Sequence, residues 1–154
     1  MSTRTQQPQT AELLGIATHQ QSRGHITEHK QAQVSVENGL NDYRSLKSAN
    51  TAITVLSLAA WQAACNEAGT NLHWIQRRAQ LLLDQLDFSE ESVGKQLKIG
   101  KVILEVTAET DPCNRMEALH SGLKSALSSN WRGGVRCKVI KAGSLALGDK
   151  AQWL

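Results

Sequence analysis

The sequence predicts a mainly β fold of the α+β class, an antiparallel β-barrel with a few peripheral helices. Seven or eight short segments are rich in β-branched and apolar residues, and glycine-containing turns separate them. Only two segments are predicted to be helical. Because 154 residues suit one domain with a buried core, we expect a single domain at residues 11–154 after a flexible, polar N-terminus at residues 1–10.

Charge and composition argue against several classes of partner. The net charge is +3 and the aromatic content 4%, and no basic block is interleaved with aromatic residues, so nucleic acid is not expected. A small basic pocket for an anionic ligand is the more economical use of this charge. No run approaches the roughly 18 apolar residues of a membrane span, and no apolar signal core is present. Three widely spaced cysteines are not a disulfide framework, so we expect a cytoplasmic protein away from membranes.

The first half of the chain is predicted to contain three strands and one helix. Alternating or β-branched apolar residues indicate strands at Leu13–Thr18, with a bulge at Gly15, at Ala32–Glu37 and at Thr51–Ser57. The alanine-rich segment Leu58–Ala68 is predicted to be a helix that Gly69 ends. Cys65 lies four residues after Trp61 on the same helix face, so we expect it in the core.

Two pairs of charged residues are candidates for an anion site. Arg77 and Arg78 lead into a strand predicted over the second half of Ile75–Leu83. The guanidinium fork matches phosphate oxygens, so these arginines either clamp a phosphate or form a surface pair. Asp42 and Arg44 follow a turn at Asn38-Gly39 and either face a pocket or pair on a surface loop.

The second half of the chain is predicted to hold a hairpin, the longest helix and the last strands. Gly100 separates the hairpin strands, and Met116, Leu119, Leu123 and Leu127 give the helix an apolar face. The predicted elements are the strands Gln96–Ile99 and Lys101–Thr107, a helix at Arg115–Ser128, a strand at Val135–Lys141 and a final strand–turn–strand at Leu145–Lys150. The turn Arg132-Gly133-Gly134 either lets the backbone approach an anion or is a plain loop.

Cys113 is the residue with the strongest chemical signal. Asp111 is predicted to be the N-cap of a helix and Pro112 its first residue. Cys113 would then lie in the first turn, where free N–H groups and the helix dipole favour a thiolate, which is both a nucleophile and a metal ligand. The alternative is a small buried residue that closes the corner between strand and helix. His120, further along the helix, is a weaker candidate for a base.

The order of these motifs resembles that of MOSC domains, which are named after the C-terminal part of molybdenum cofactor sulfurase. The resemblance covers about residues 12–150 and is to the small, stand-alone bacterial type. The motifs that carry it are Arg77–Leu83, Val93-Gly94, Leu97–Gly100, Leu104–Thr107, Asp111–Cys113, Arg132–Val135, Ala142-Gly143 and Gly148-Asp149, with Gly39–Arg44 and Ile53–Ser57 before them.

The resemblance implies a β-barrel-rich fold that binds a molybdenum cofactor (molybdopterin) or handles sulfur for it, without pyridoxal phosphate. Cys113 matches the family's characteristic cysteine, which ligates molybdenum in the reductase members and is thought to carry sulfur in sulfurase-type members. The residues implied to contact the cofactor are Arg78, Gln80, Arg132, Gly133, Asp42 and Arg44. Gln80 stands where the family usually has asparagine.

Three function classes follow from this resemblance. The first is a reductase of N-hydroxylated compounds, in which Cys113 is the catalytic residue and the molybdenum ligand. The second is a carrier of sulfur, as a persulfide, or of the cofactor. The third is a binding module that has lost the cofactor. The expected partners are a small-molecule substrate, an external electron-donor protein for the reductase, and a second copy of the chain if it forms a homodimer.

Overall fold

Seven strands close into a barrel in the part of the chain that the computed structural model describes, residues 10–19, 25–41 and 52–154. The strands are β1 (Thr10–Thr18), β2 (Thr27–His29), β3 (Gln31–Ser35), β4 (Gly39–Leu40), β5 (Ile53–Ser57), β6 (Leu81–Leu83), β7 (Gln96–Ile99), β8 (Val102–Glu109), β9 (Val135–Lys141), β10 (Gly143–Ala146) and β11 (Lys150–Trp153). The order around the barrel is β11–β7–β8–β9–β5–β6–β1, and β1 pairs with β11 to close it. The predicted mainly β barrel is therefore confirmed.

The barrel pairs are antiparallel except for β5 and β6, among the strands that the structure describes. The remaining strands lie outside the closed ring: β2 extends from β1, while β10, β3 and β4 form a separate sheet of three strands. The predicted bulge at Gly15 is confirmed, since the pairing of β1 with β6 shifts register between Leu13 and Gly15. The predicted hairpin around Gly100 is confirmed as the β7–β8 pair.

Among the described residues, three α-helices accompany the barrel: α1 (Leu58–Ala68), α2 (Asn114–Leu119) and α3 (Leu123–Ser128). Helix α1 has the predicted bounds: the Ser57 hydroxyl accepts a hydrogen bond from the Ala60 N–H, and Gly69 ends the helix with a left-handed backbone. One buried cluster fills the inside of the barrel. A second forms where the helices pack on the outside of the barrel, and it includes Trp61, Cys65, Met116 and Leu127. The expectation that Cys65 lies in the core is confirmed.

The predicted helix at Arg115–Ser128 is wrong in one respect, because it is two short helices. Gly122 has φ +89° and is the N-cap before α3, and a positive φ does not continue a right-handed helix. The Glu117 carboxylate accepts hydrogen bonds from the N–H groups of Gly122 and Lys124, which stabilises the break. The apolar face survives the break, since Met116, Leu123 and Leu127 are all buried.

Gly134 is required where the turn before β9 meets β5. Its φ is +94°, and a Cβ there would lie 2.4 Å from the Val55 carbonyl oxygen. That oxygen belongs to a strand paired on both sides, so it cannot move freely. We expect Gly134→Ala to lower the free energy of unfolding by about 2 kcal/mol more than Gly148→Ala.

Gly148 is the matched control because it has the same φ of +94°, and a Cβ added there would have no other atom within 4 Å. Replacing it with alanine should cost only backbone strain, about 1–2 kcal/mol. Urea unfolding of both variants measures the difference. Equal losses would show that the contact with β5 is relieved at no cost.

Candidate functional site

Cys113 lies exposed at the junction between β8 and α2. Its backbone is extended (φ −112°, ψ 177°), it occupies the N-cap position, and its carbonyl accepts a hydrogen bond from the Met116 N–H at 2.9 Å. The prediction that Asp111 is the N-cap is wrong by two residues. The Thr110 N–H still bonds the Gly134 carbonyl, which keeps the chain extended beyond β8. The alternative of a small buried cysteine is also excluded.

Arg77 is a buried clamp on the segment that carries Cys113. Only 8% of its surface is exposed. Its Nε donates to the Gly133 carbonyl at 3.2 Å and its Nη2 donates to the Thr110 carbonyl at 2.8 Å. One guanidinium thereby joins the end of β8 to the turn before β9. The sequence predicted either a phosphate clamp or a surface pair for Arg77. Its actual role, a buried link between two backbone segments, was missed by sequence reasoning.

The Arg77 guanidinium interacts electrostatically with Cys113. Burial lowers the pKa of Arg77, and Arg136 adds to this effect, while Cys113 and Asp111 oppose it. The sulfur of Cys113 therefore lies within electrostatic range of a buried cation. Burial raises the pKa of Glu109, and the charge of Asp111 and a hydrogen bond to its side chain raise it further. Two carboxyl groups thus lie on the approach to Cys113.

Gly133 allows the turn and the Cys113 segment to approach closely. A Cβ at this position would lie 2.5 Å from the Thr110 carbonyl oxygen, 3.1 Å from the Arg77 Nη2 and 3.7 Å from the Pro112 Cδ. A side chain here would push apart the two segments that Arg77 joins. Its predicted contact with a cofactor is untested, but the glycine is needed for the local packing.

Arg78 lies within electrostatic range of two other basic side chains. Its φ is +64° at the end of the 3₁₀ helix Trp74–Arg77, a conformation uncommon for residues other than glycine. Burial lowers the pKa of Arg78, with a further contribution from Arg115. Burial, then Arg78 and Arg115, lower the pKa of His19. Three basic groups from separate parts of the chain therefore lie within electrostatic range of one another.

An open cavity of about 550 Å³ lies beside two of these groups, Arg78 and Arg115. Its lining residues are Ile26, Gln76, Arg78, Asn114, Arg115, Ala118 and Leu119. None of the described residues that line it is acidic. Since Asn114 directly follows Cys113, the cavity lies next to the exposed thiol along the chain. Its volume is in the range of small-molecule sites.

Gln80 joins the wall of the barrel to the segment before β6. Its side-chain Oε1 accepts a hydrogen bond from the Thr54 N–H at 3.0 Å, and its own N–H donates to the Thr54 hydroxyl at 3.1 Å. Only 2% of its surface is exposed. The amide in this position therefore holds β5 in place, and its predicted cofactor contact is untested.

Comparison with known proteins decides the family of this barrel. The family model for the MOSC domain matches residues 20–152. The chain belongs to the MOSC domain family. The resemblance noted in the motifs is thereby confirmed.

Solved structures support the same fold for this MOSC domain. The YUAD protein from Bacillus subtilis aligns with a TM-score of 0.77 and 15% identity over 96% of this chain and 97% of that chain. YiiM from Escherichia coli aligns with a TM-score of 0.67 and 14% identity over 96% and 70%. YiiM from Geobacillus stearothermophilus gives 0.65 and 14% over 94% and 73%. At these identities the likeness concerns the fold, and no curated protein matches the sequence.

Two predicted site residues of the MOSC domain lie outside the described residues, and a third lies apart from the cavity. Arg132 directs its Nη1 to the Ala126 carbonyl at 3.1 Å and to the Glu67 carboxylate at 3.2 Å. It lines a second cavity, of about 290 Å³. The structure therefore does not bring its side chain to the cavity that Arg78 lines. Asp42 and Arg44 are the two outside the described residues.

His120 is not placed as a base for the thiol. Its Nε2 lies 2.9 Å from the Ala68 carbonyl oxygen, so the ring links the end of α2 to the end of α1. The other two cysteines are buried: Cys65 as predicted, and Cys137 in the core of the barrel. In the part of the chain that the structure describes, no helix is long and apolar enough to cross a membrane.

Proposed function

We propose that this MOSC domain binds a molybdenum cofactor beside Cys113 and reduces N-hydroxylated compounds. The observation that carries the proposal is an exposed thiol one residue before the lining of a cavity that contains two arginines, on a segment fixed by a buried arginine. The family supplies the cofactor class, since its characteristic cysteine matches Cys113. Cytoplasmic location and assembly as a homodimer stay predictions.

The residues present fit such a cofactor. The thiolate of Cys113 is a soft ligand, which suits molybdenum. Arg78 offers a half-buried guanidinium fork for the phosphate of the pterin. Thr110 has a buried hydroxyl oxygen without a hydrogen-bond partner among the described residues, and such an atom marks a place where a water or ligand completes the network.

Each of the four site residues has a separate role in this proposal. The bound cofactor would supply the redox centre for reduction of an N–O bond. Cys113 supplies the sulfur ligand, and Arg77 fixes the backbone on which that sulfur is presented. Arg78 orients the anionic end of the cofactor, and Gln80 keeps β5 in register behind it. A domain of this size has no room for a flavin or iron–sulfur module, so electrons would come from another protein.

A carrier of sulfur is the second candidate, and the exposure of Cys113 favours it. A persulfide must reach its acceptor, and an exposed thiol can do so. Metal and sulfane-sulfur analysis of protein made in cells competent for cofactor synthesis separates the candidates. Stoichiometric molybdenum supports the reductase, and a persulfide without metal supports the carrier. Protein that holds neither is a binding module.

Arg78→Ala should lower cofactor retention about tenfold or more, because a charge-assisted hydrogen bond contributes roughly 1.5–3 kcal/mol. The fold should be unaffected, since Arg78 is only half-buried and alanine tolerates the same backbone nearly as well. Molybdenum content after dialysis, measured beside a urea unfolding curve, checks both statements. Unchanged molybdenum would remove Arg78 from the site.

Arg132→Ala is the companion variant, since the sequence predicts the same contact for Arg132. Its side chain is 19% exposed, and that of its partner Glu67 is 56% exposed, so their ion pair can open at little cost. A tenfold loss of molybdenum here would assign Arg132 to the cofactor as well. We expect a smaller loss than for Arg78→Ala, because Arg132 lies at the second cavity.

A further inference from the structure

We propose that the outer wall of the barrel at β7, β8 and β9 docks the acidic face of the protein that donates electrons. This inference rests on the proposed function for the partner's role, and it adds where the partner binds and which charge it carries. Reduction of an N–OH group to N–H takes two electrons and two protons and releases water, and a flavin or iron–sulfur protein supplies the electrons. The basic face is defined by six outward side chains: Lys98, Ile103, Glu105, Arg136, Lys138 and Lys141.

Strand geometry places these side chains together on the outside of the barrel. Successive side chains of a strand point to opposite faces, and the inward positions here are the buried ones, such as Leu104 and Cys137. The register then brings the outward residues into rows across the strands. Lys98 lies opposite Ile103, and Ile103 lies opposite Lys141. An isoleucine is thereby flanked by two lysines.

The basic face holds the surplus charge of the chain. It has four basic side chains against one acidic one, a surplus of three positive charges, and the net charge of the whole chain is also +3. The Glu105 carboxylate pairs with the Lys138 Nζ at 3.3 Å. Among the residues that the structure describes, Lys98, Arg136 and Lys141 form no ion pair. An acidic partner would therefore find three cations with which its carboxylates can pair.

This side of the barrel wall is open in the part of the chain that the structure describes. On the side covered by helices, the outward side chains of Leu56 and Leu82 are buried in the cluster outside the barrel. On the basic face, Lys141 is exposed, Ile103 is half-buried and Ile140, at a bulge of β9, is 40% exposed. Protein interfaces combine apolar contacts with a polar rim, and this face offers both.

One end of the basic face lies near the segment that carries Cys113. The register pairs Arg136 with Ala108, which is five residues before Cys113, and five residues span at most about 18 Å. Arg136 is also within electrostatic range of Arg77, the buried clamp on that segment. The basic face shares no residue with the lining of the larger cavity. A donor seated on the face therefore approaches the proposed site without occupying that cavity.

A nucleic acid fits this face less well than an acidic protein does. No aromatic residue belongs to β7, β8 or β9, so bases have no ring on which to stack. Glu105 places a negative charge on the central strand of the three, where it would repel a phosphate backbone. A nucleic acid and a membrane of anionic lipid are therefore the competing classes in the test.

The test measures binding of the full chain to four probes by titration calorimetry: an acidic flavodoxin, the basic cytochrome c, a DNA duplex and vesicles of phosphatidylserine. Flavodoxin should bind most tightly, and its affinity should fall as salt is added, because salt screens exposed charges. Cytochrome c should not bind, since like charges repel one another.

Lys141→Glu and Lys30→Glu are matched variants, because both replace an exposed lysine and change the net charge equally. Lys30 lies between β2 and β3, outside the basic face. Lys141→Glu should weaken flavodoxin binding about fivefold or more, since an attraction becomes a repulsion, while Lys30→Glu should change it less than about twofold. Lys98→Glu combined with Lys141→Glu should weaken it at least about tenfold. Urea unfolding of the single variants should match the wild type, because both positions are exposed.

Several outcomes would overturn the docking surface. Equal weakening by Lys30→Glu would show that net charge matters and the face does not. Absence of flavodoxin binding, or equal binding of cytochrome c, would remove the charge complementarity. Tighter binding of DNA or of vesicles, abolished in Lys141→Glu, would assign the face to a nucleic acid or to a membrane.

Molybdenum content, measured for every protein, separates this inference from the proposed function. Flavodoxin binding that is lost in Lys141→Glu, by a protein that holds no molybdenum, would support the docking surface and remove the reductase. Stoichiometric molybdenum in a protein that binds no flavodoxin would support the reductase and overturn the docking surface.

Discussion

Cys113→Ser should abolish molybdenum retention and sulfur loading while leaving the free energy of unfolding nearly unchanged. The exposed thiol has no role in the core, and the carbonyl bond to the Met116 N–H is kept by any residue. Serine has a similar volume and is among the preferred residues at an N-cap. Metal analysis, sulfane-sulfur analysis and urea unfolding of the same preparation give the three quantities.

Cys65 and Cys137 provide the matched controls. Both are buried, and burial raises the pKa of Cys137, so its thiolate is disfavoured. A small thiol reagent should therefore label Cys113 first in the cofactor-free protein and be excluded when cofactor is bound. Faster labelling of Cys65 or Cys137, or full molybdenum and activity in Cys113→Ser, would show that Cys113 is neither the metal ligand nor the sulfur carrier.

Arg77→Met should lower the free energy of unfolding by about 3 kcal/mol or more. The two hydrogen bonds from the guanidinium to the Thr110 and Gly133 carbonyls are lost, and each bond to a charged group contributes roughly 1.5–3 kcal/mol. The carbonyl oxygens are then left without their donor in a buried place. Urea unfolding measures the loss, with Arg78→Met, at a half-buried position, as the control expected within about 1 kcal/mol.

Arg77→Lys distinguishes the charge of the clamp from its geometry. Lysine keeps a positive charge near Cys113 but replaces the planar fork with a single ammonium group. We expect intermediate stability and a loss of molybdenum retention, because the segment that presents Cys113 is held less firmly. Wild-type stability and retention in Arg77→Lys would show that the charge alone suffices and that the fork is dispensable.

Local chemistry in the sequence was enough to predict the barrel. β-Branched runs predicted β5, β8 and β9, and the alanine-rich segment with Gly69 after it predicted the bounds of α1. These signals all lie within a few residues of the feature that they predict.

The different positions of Arg77, buried against two backbone carbonyls, and Arg78, at the cavity, could not be predicted in this way. The positive φ of Arg78 turns adjacent side chains in different directions, and arginine gives no signal for this conformation. The partners of Arg77 lie 33 and 56 residues away along the chain. The start of α2 was misplaced for a similar reason, since the bond from Thr110 to Gly134 is a tertiary contact.

The closure of the barrel by β1 and β11 has a consequence for biosynthesis. The register pairs Thr10 with Gln152, so two strands from opposite ends of the described chain must meet. Contacts of such long sequence separation form slowly, because the loop-closure entropy is lost before the pairing stabilises the fold. During translation the ring stays open until residues 150–153 have left the ribosome. Any ligand that needs the finished wall of the barrel can therefore bind only after these residues have emerged.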